Sequence, residues 1–165
     1  MSGALATLAD VLDREIAAGT RLLAALEHER TVLAGGDAGA LEDAVAAKER
    51  LLAEFDALEA ERRRTLATLG HGPDRAGMTD CLRAFEDPAY TDDAARVGPV
   101  AARWRRLLAL AAQLRDSNER NGTIVSLRSR RVRAALNVLR TGRPDELTYG
   151  PAGPGAPARR AIGRA

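Results

Sequence analysis

Leucines and their equivalents recur every seven positions near the start of the chain: Leu5, Leu12, Gly19, Leu26 and Leu33, with Leu8, Ile16, Leu22 and Leu23 between them. Apolar residues three and four apart fall on one face of a 3.6-residue turn, so residues 5–33 read as an amphipathic helix. Gly35-Gly36 ends it and Asp37 is a suitable N-cap for a successor. The second helix is predicted from Ala38 to Leu69, with Leu41, Val45, Leu52, Phe55, Leu66 and Leu69 on one face and Leu51 and Leu58 beside it. Lys48, Glu59 and Arg62 interrupt that stripe. The Gly-Gly-Asp connection is short enough to fold the two helices into an antiparallel hairpin.

The pattern breaks between Gly70 and Asp93, where Gly70-His71-Gly72-Pro73 precedes a short helical piece around Thr79 to Phe85 and Asp87-Pro88 follows it. This segment reads as a crossover, pinned to the bundle by Leu82 and Phe85. A third long helix is predicted from about Asp93 to Arg140, because Val97, Val100, Trp104, Leu107, Ala111, Leu114, Asn118, Asn121, Val125, Arg128, Val132, Ala135 and Leu139 alternate at spacings of three and four. Leu108 and Leu136 widen this face, and Pro99 marks either its regular start or a slight bend. At ~1.5 Å per residue, roughly 42 residues from Pro99 span ~60 Å against ~44–48 Å for the hairpin helices, so the third helix is expected to overhang and leave Val132, Leu136 and Leu139 as an uncovered apolar strip.

The expected fold is therefore all-α: an elongated antiparallel bundle or coiled coil of three long helices plus a short crossover helix. Its helical domain covers 1–141, with the hairpin at 5–69, the crossover at 70–93 and the long helix at 94–141. Residues 142–165 hold four of the seven prolines and five of the fifteen glycines. That composition builds neither helix nor core, and the segment reads as a flexible, disordered tail.

Composition supports narrow helix–helix seams over a thick globular core, since 45% of the chain is hydrophobic but only 3% is aromatic. Charge is uneven: residues 1–70 carry 8 basic and 13 acidic side chains, and 71–165 carry 17 and 10. A basic second half suits an acidic partner or a solvated face. Arg128, Arg130, Arg131 and Arg133 are its densest patch. It lacks the interleaved aromatics and recognition-helix turn of a nucleic-acid site, so no nucleic acid is expected.

No constellation for catalysis emerges. His28 lies between Glu27 and Glu29 and His71 lies in a Gly-Pro loop, so neither belongs to a ligand pair, and the single Cys81 has no disulfide or metal partner. Glu42 with Asp43 and Glu59 with Glu61 have basic neighbours and read as helix-surface charge. Neither cofactor nor metal is expected, and the chain reads as no enzyme. With no run near ~18 apolar residues and no signal-like start, a cytoplasmic protein without an integral membrane segment follows.

Asn118 and Asn121 are the most informative pair, because both fall where the seam calls for Leu or Val. A buried amide is costly unless its hydrogen bonds are met, yet it fixes register or partner choice. Gly122 follows directly, and a mid-helix glycine costs ~1 kcal/mol against alanine unless something approaches closely.

The run Asn118-Glu119-Arg120-Asn121-Gly122-Thr123-Ile124-Val125 resembles the Asn-x-x-Asn-Gly and following apolar residues in the last long helix of FlgN proteins. Trp104-Arg105-Arg106-Leu107-Leu108, the Leu-Glu-x-Glu-x-x-x-Leu pattern from Leu26 to Leu33, and Tyr149-Gly150-x-x-Gly153 are similar too. The resemblance covers nearly the whole chain. It implies a chaperone of the flagellar type III secretion system that clasps the helical C-terminal segments of the hook-associated proteins FlgK and FlgL, prevents premature assembly and presents them to the export gate and its ATPase complex. Asn118, Asn121, Val125, Arg128, Val132, Leu136 and Leu139 are the candidate client-binding residues, with Arg128 and Arg131 orienting an acidic client face. By the same resemblance Tyr149 is the candidate for docking on the export gate. The alternative is a self-associating coiled-coil scaffold or adaptor; oligomeric state stays open between the two.

Overall fold

The computed structural model describes residues 2–87 and 94–141. They form four helices: α1 (Ser2–Gly35), α2 (Ala38–Thr68), α3 (Arg75–Glu86) and α4 (Ala94–Thr141). The fold is all-α, as the periodicity predicts. Pro88, Tyr90 and the last residues of the crossover lie outside the described residues, as do Tyr149 and the whole of 142–165.

Local chemistry sets the breaks. Gly36 adopts φ +85°, a left-handed conformation that glycine takes without a Cβ clash, and its N–H closes α1 on the Val32 carbonyl at 3.0 Å. Asp37 then caps α2 by accepting from the Ala40 N–H at 3.1 Å. The crossover helix α3 starts at Arg75, earlier than the Thr79 predicted, because Asp74 caps it by accepting from the Gly77 N–H at 2.8 Å. Gly77 is itself a packing residue: a Cβ there would stand 2.0 Å from the Gly72 carbonyl oxygen. Pro99 lies inside the first two turns of α4, which begins before it.

Cross-helix contacts give the topology. Between α1 and α2 the sequence separation of bonded pairs shrinks from 47 at Glu15–Arg62 to 33 at Arg21–Glu54 and 19 at Glu29–Lys48, which makes the hairpin antiparallel. Between α1 and α4 it stays nearly constant, at 90 for Asp13–Arg103 and 92 for Glu29–Asn121, so these two helices run parallel. The crossover through α3 allows that return.

The described residues fall into two units, one up to Leu127 and one from Arg128 onward. The first holds the core. Leu5, Leu8, Leu12, Leu22 and Leu26 of α1 pack with Leu66 of α2, Met78, Cys81, Leu82 and Phe85 of α3, and Val97 through Leu114 of α4. Each fully buried leucine contributes about 1.5–3 kcal/mol. Gly19, on the predicted heptad, marks the tightest crossing, since a Cβ there would lie 2.7 Å from Leu110 Cδ2 and 3.0 Å from Phe55 Cε2.

Two expectations about the seams change. On α2 the buried residues are Ala44, Arg62 and Leu66, while Leu52 stays 45% exposed and Leu41, Val45, Phe55 and Leu69 are half-buried. The inward line of α2 thus passes through the positions that looked like interruptions. On α4 the buried series is Val97, Val100, Trp104, Leu107, Leu110, Leu114, Ser117 and Asn121, so Ala111 and Asn118 lie outside it, in exposed positions.

Candidate functional site

Asn121 is 3% exposed, and its amide nitrogen donates to the Leu26 carbonyl at 2.8 Å and to Glu29 Oε2 at 2.8 Å. Both neighbours are acceptors, which fixes the amide orientation. Glu29, also buried, accepts through Oε1 from Lys48 Nζ at 2.5 Å. One polar chain therefore ties α4 to α1 and α1 to α2. Of the two roles open to a buried seam amide, this geometry carries the register lock. The Asn121 Oδ1 is buried without a hydrogen-bond partner among the described residues.

A second tie lies further down the hairpin. Arg62 Nε donates to Glu15 Oε2 at 2.9 Å, both side chains being almost wholly buried. The guanidinium sits over the Trp104 ring, 5.0 Å from its centroid, so the cation also meets an aromatic face. Desolvation by burial pushes the Glu15 carboxyl above its ordinary value, outweighing the pull of Arg62 in the other direction. Lys48 and Arg62 looked like flaws in a stripe. The signal that would have found them is their spacing of fourteen, matched by Glu15 and Glu29 on α1.

Asn118 lies one turn from Asn121 but borders an open groove of about 290 Å³ between α2 and α4. Leu22, Leu26, Leu52, Phe55, Ala111 and Leu114 give it an apolar lining, with Lys48, Asp56, Arg115 and Asn118 at its polar edge. Gly122 is exposed and a Cβ there would meet nothing within 4 Å. Nothing in the structure explains that glycine. Val125 is 47% exposed.

In the second unit, described over residues 128–141, Val132, Leu136 and Leu139 are 58%, 60% and 83% exposed. Their spacing of four and three puts them on one helix face. Arg133 and Arg140, one turn either side of Leu136, line a shallow cleft with it and Asn137. Arg131 borders the opposite edge of the strip, and Arg128 is half-buried with interactions of its own. The seven candidate client-binding residues thus separate by environment: Asn121 is locked in the first unit, Asn118 edges its groove, Val125 is exposed, and Val132, Leu136 and Leu139 form the apolar strip among arginines.

Among the described residues no three His, Cys, Asp or Glu side chains gather as a metal site, and no helix is long and apolar enough to cross a membrane. Cys81 is free, fully buried and pushed up to about 11 by desolvation. An all-helical body with exposed apolar residues concentrated late in its longest helix suits the binding of another protein. The sequence profile of the family described as FlgN protein matches residues 1–155. The chain belongs to the FlgN family. FlgN proteins are flagellar export chaperones, a family defined by binding and not by catalysis. No curated protein and no solved structure matches the chain. Within a FlgN framework, the Asn118–Val125 run is the stretch where the register lock, the groove edge and the open face of α4 meet in eight residues.

Proposed function

We propose that this FlgN protein is a cytoplasmic export chaperone that clasps the helical C-terminal segments of FlgK and FlgL, keeps them from assembling and hands them to the type III export gate and its ATPase complex. The observation that carries this reading is the exposed strip of Val132, Leu136 and Leu139 in a helix whose other exposed positions are mainly polar. Covering three such side chains is worth roughly 5–8 kcal/mol before the costs of association, enough to anchor an amphipathic client helix. Val125 is a separate exposed apolar position on the first unit, and on the second Arg128 and Arg131 favour a client with acidic flanks. Asn118 and Asn121 act on this site by different routes, the first at a surface and the second through the register of α4. Tyr149 is proposed as the contact to the export gate. The chain itself hydrolyses nothing in this scheme.

Co-expression with FlgK or FlgL tests the reading. A soluble complex of chaperone and client is expected. A stable homo-oligomer of the chain that takes up neither client favours the scaffold alternative instead.

A further inference from the structure

We propose that the arginine-flanked strip of the second unit seats on an anionic phospholipid surface when no client covers it. Residues 128–141 contain five arginines and no Asp or Glu, so this stretch of helix carries one sign of charge only. Val132, Leu136 and Leu139 are the most exposed large apolar side chains among the described residues, and Val138 is exposed beside them. An apolar face and a polybasic flank are the two signals that together hold a peripheral helix on a membrane, where either alone binds weakly. No helix among the described residues is long and apolar enough to cross a bilayer, so the contact is one of a helix lying along the surface.

The positions of the arginines select the partner. At about 100° per residue, Arg133 and Arg140 stand roughly a quarter-turn from the centre of the strip on one side, and Arg131 roughly a quarter-turn on the other. All three are exposed, and none makes an ion pair with the described residues. With the strip turned towards acyl chains, their stems lie over apolar surface and their guanidiniums reach the level of the headgroup phosphates. Each planar guanidinium donates to two phosphate oxygens at once. Arginine on both edges with no acid between them matches a surface that is negative throughout, rather than a partner helix whose flanks vary in sign. A nucleic-acid backbone is also negative throughout, but it offers no apolar layer for Leu139. Residues 142–165 add four arginines against Asp145 and Glu146, the same sign of charge. The membrane contact stands without the chaperone reading; that client and membrane compete for one strip rests on it.

The test floats full-length chain with lipid vesicles in a density gradient, without client. With equal parts of phosphatidylglycerol and phosphatidylcholine the chain is expected to float with the vesicles, and with phosphatidylcholine alone to stay behind. Near an anionic surface each arginine is worth about fivefold in partitioning, so Arg131→Gln with Arg133→Gln and Arg140→Gln is expected to weaken binding about a hundredfold. Val132→Ser with Leu136→Ser and Leu139→Ser keeps every charge and is expected to weaken it at least about tenfold. All six positions are exposed, and unchanged helical circular dichroism verifies each variant. Raising the salt to about 1 M, where charges are screened within about 3 Å, is expected to release the native chain. No flotation with anionic vesicles, equal flotation with neutral ones, retention at high salt, or undiminished binding by either triple variant overturns the proposal. A chain that ignores the vesicles and binds FlgK or FlgL leaves the strip to protein alone, so the two readings fail separately.

Discussion

The Asn121 amide nitrogen stands 2.8 Å from Glu29 Oε2, and both groups are buried where α4 crosses α1. Replacing Asn121 by Leu removes the side-chain donor to the Leu26 carbonyl and leaves Glu29 with Lys48 alone. Such losses cost about 1–3 kcal/mol. Asn121→Leu is therefore expected to lower the midpoint of urea denaturation by that amount. Asn121→Asp sets a carboxylate against Glu29 and costs more than Leu at neutral pH. An unaltered midpoint for both variants removes the register lock.

Arg62 neutralises Glu15 inside the core, so removing one partner strands a buried charge. Arg62→Met is expected to cost about 3–5 kcal/mol, and the paired change with Glu15→Leu to recover much of it. The pH dependence has a definite sign. A carboxyl raised above its ordinary 4.5 binds its proton more tightly in the folded chain, so its contribution to stability is full below 4.5 and is lost as pH rises through the folded value. Unfolding of the native chain and of Glu15→Gln, compared from pH 4 upward, isolates this group: the native chain loses stability relative to the variant as pH rises. The reverse trend contradicts the assignment.

Two glycines make opposite predictions. Gly77→Ala drives a methyl into the Gly72 backbone and is expected to destabilise by 2 kcal/mol or more, on the order of a strained backbone shift. Gly122→Ala meets open space in a helix interior and is expected to stabilise by up to about 1 kcal/mol. Thermal melts of the two variants decide both. A melting point for Gly122→Ala below that of the native chain would reveal a neighbour at that face.

Cys81 is walled in by the core, and its thiol is pushed up to about 11. Thiolate is the reactive form, so alkylation at pH 7.5 is expected to be negligible in the native state and rapid in denaturant. Iodoacetamide labelling followed by mass spectrometry measures it. Fast native labelling contradicts the packing of α3.

The helices and most of the core were legible in the pattern of residues. Leu5, Leu12, Leu26 and Leu33 are all buried as their period requires, and the first half of α4 follows its predicted face. Where the structure departs from the periodicity, adjacent residues are equally eligible. Leu110 with Ala111 and Ser117 with Asn118 satisfy alternating spacings of three and four in either phase, and only the position of α1 selects the inner member of each pair. The ion pairs were invisible for another reason: a charge on a seam reads as an interruption until its partner, 47 residues away for Arg62 and 19 for Lys48, is brought beside it. Of the candidate site, the strip at Val132, Leu136 and Leu139 was readable from spacing, whereas the groove beside Asn118 required the packing of α2 against α4.

The central claim is that the strip holds the client. Substituting Val132, Leu136 and Leu139 together by Ser removes the apolar anchors from positions that are exposed and make no core contact. Titration calorimetry with FlgK or FlgL is expected to show affinity falling by at least about a hundredfold, with the circular dichroism and the denaturation midpoint unchanged. Binding at native affinity by a folded triple variant would contradict the account.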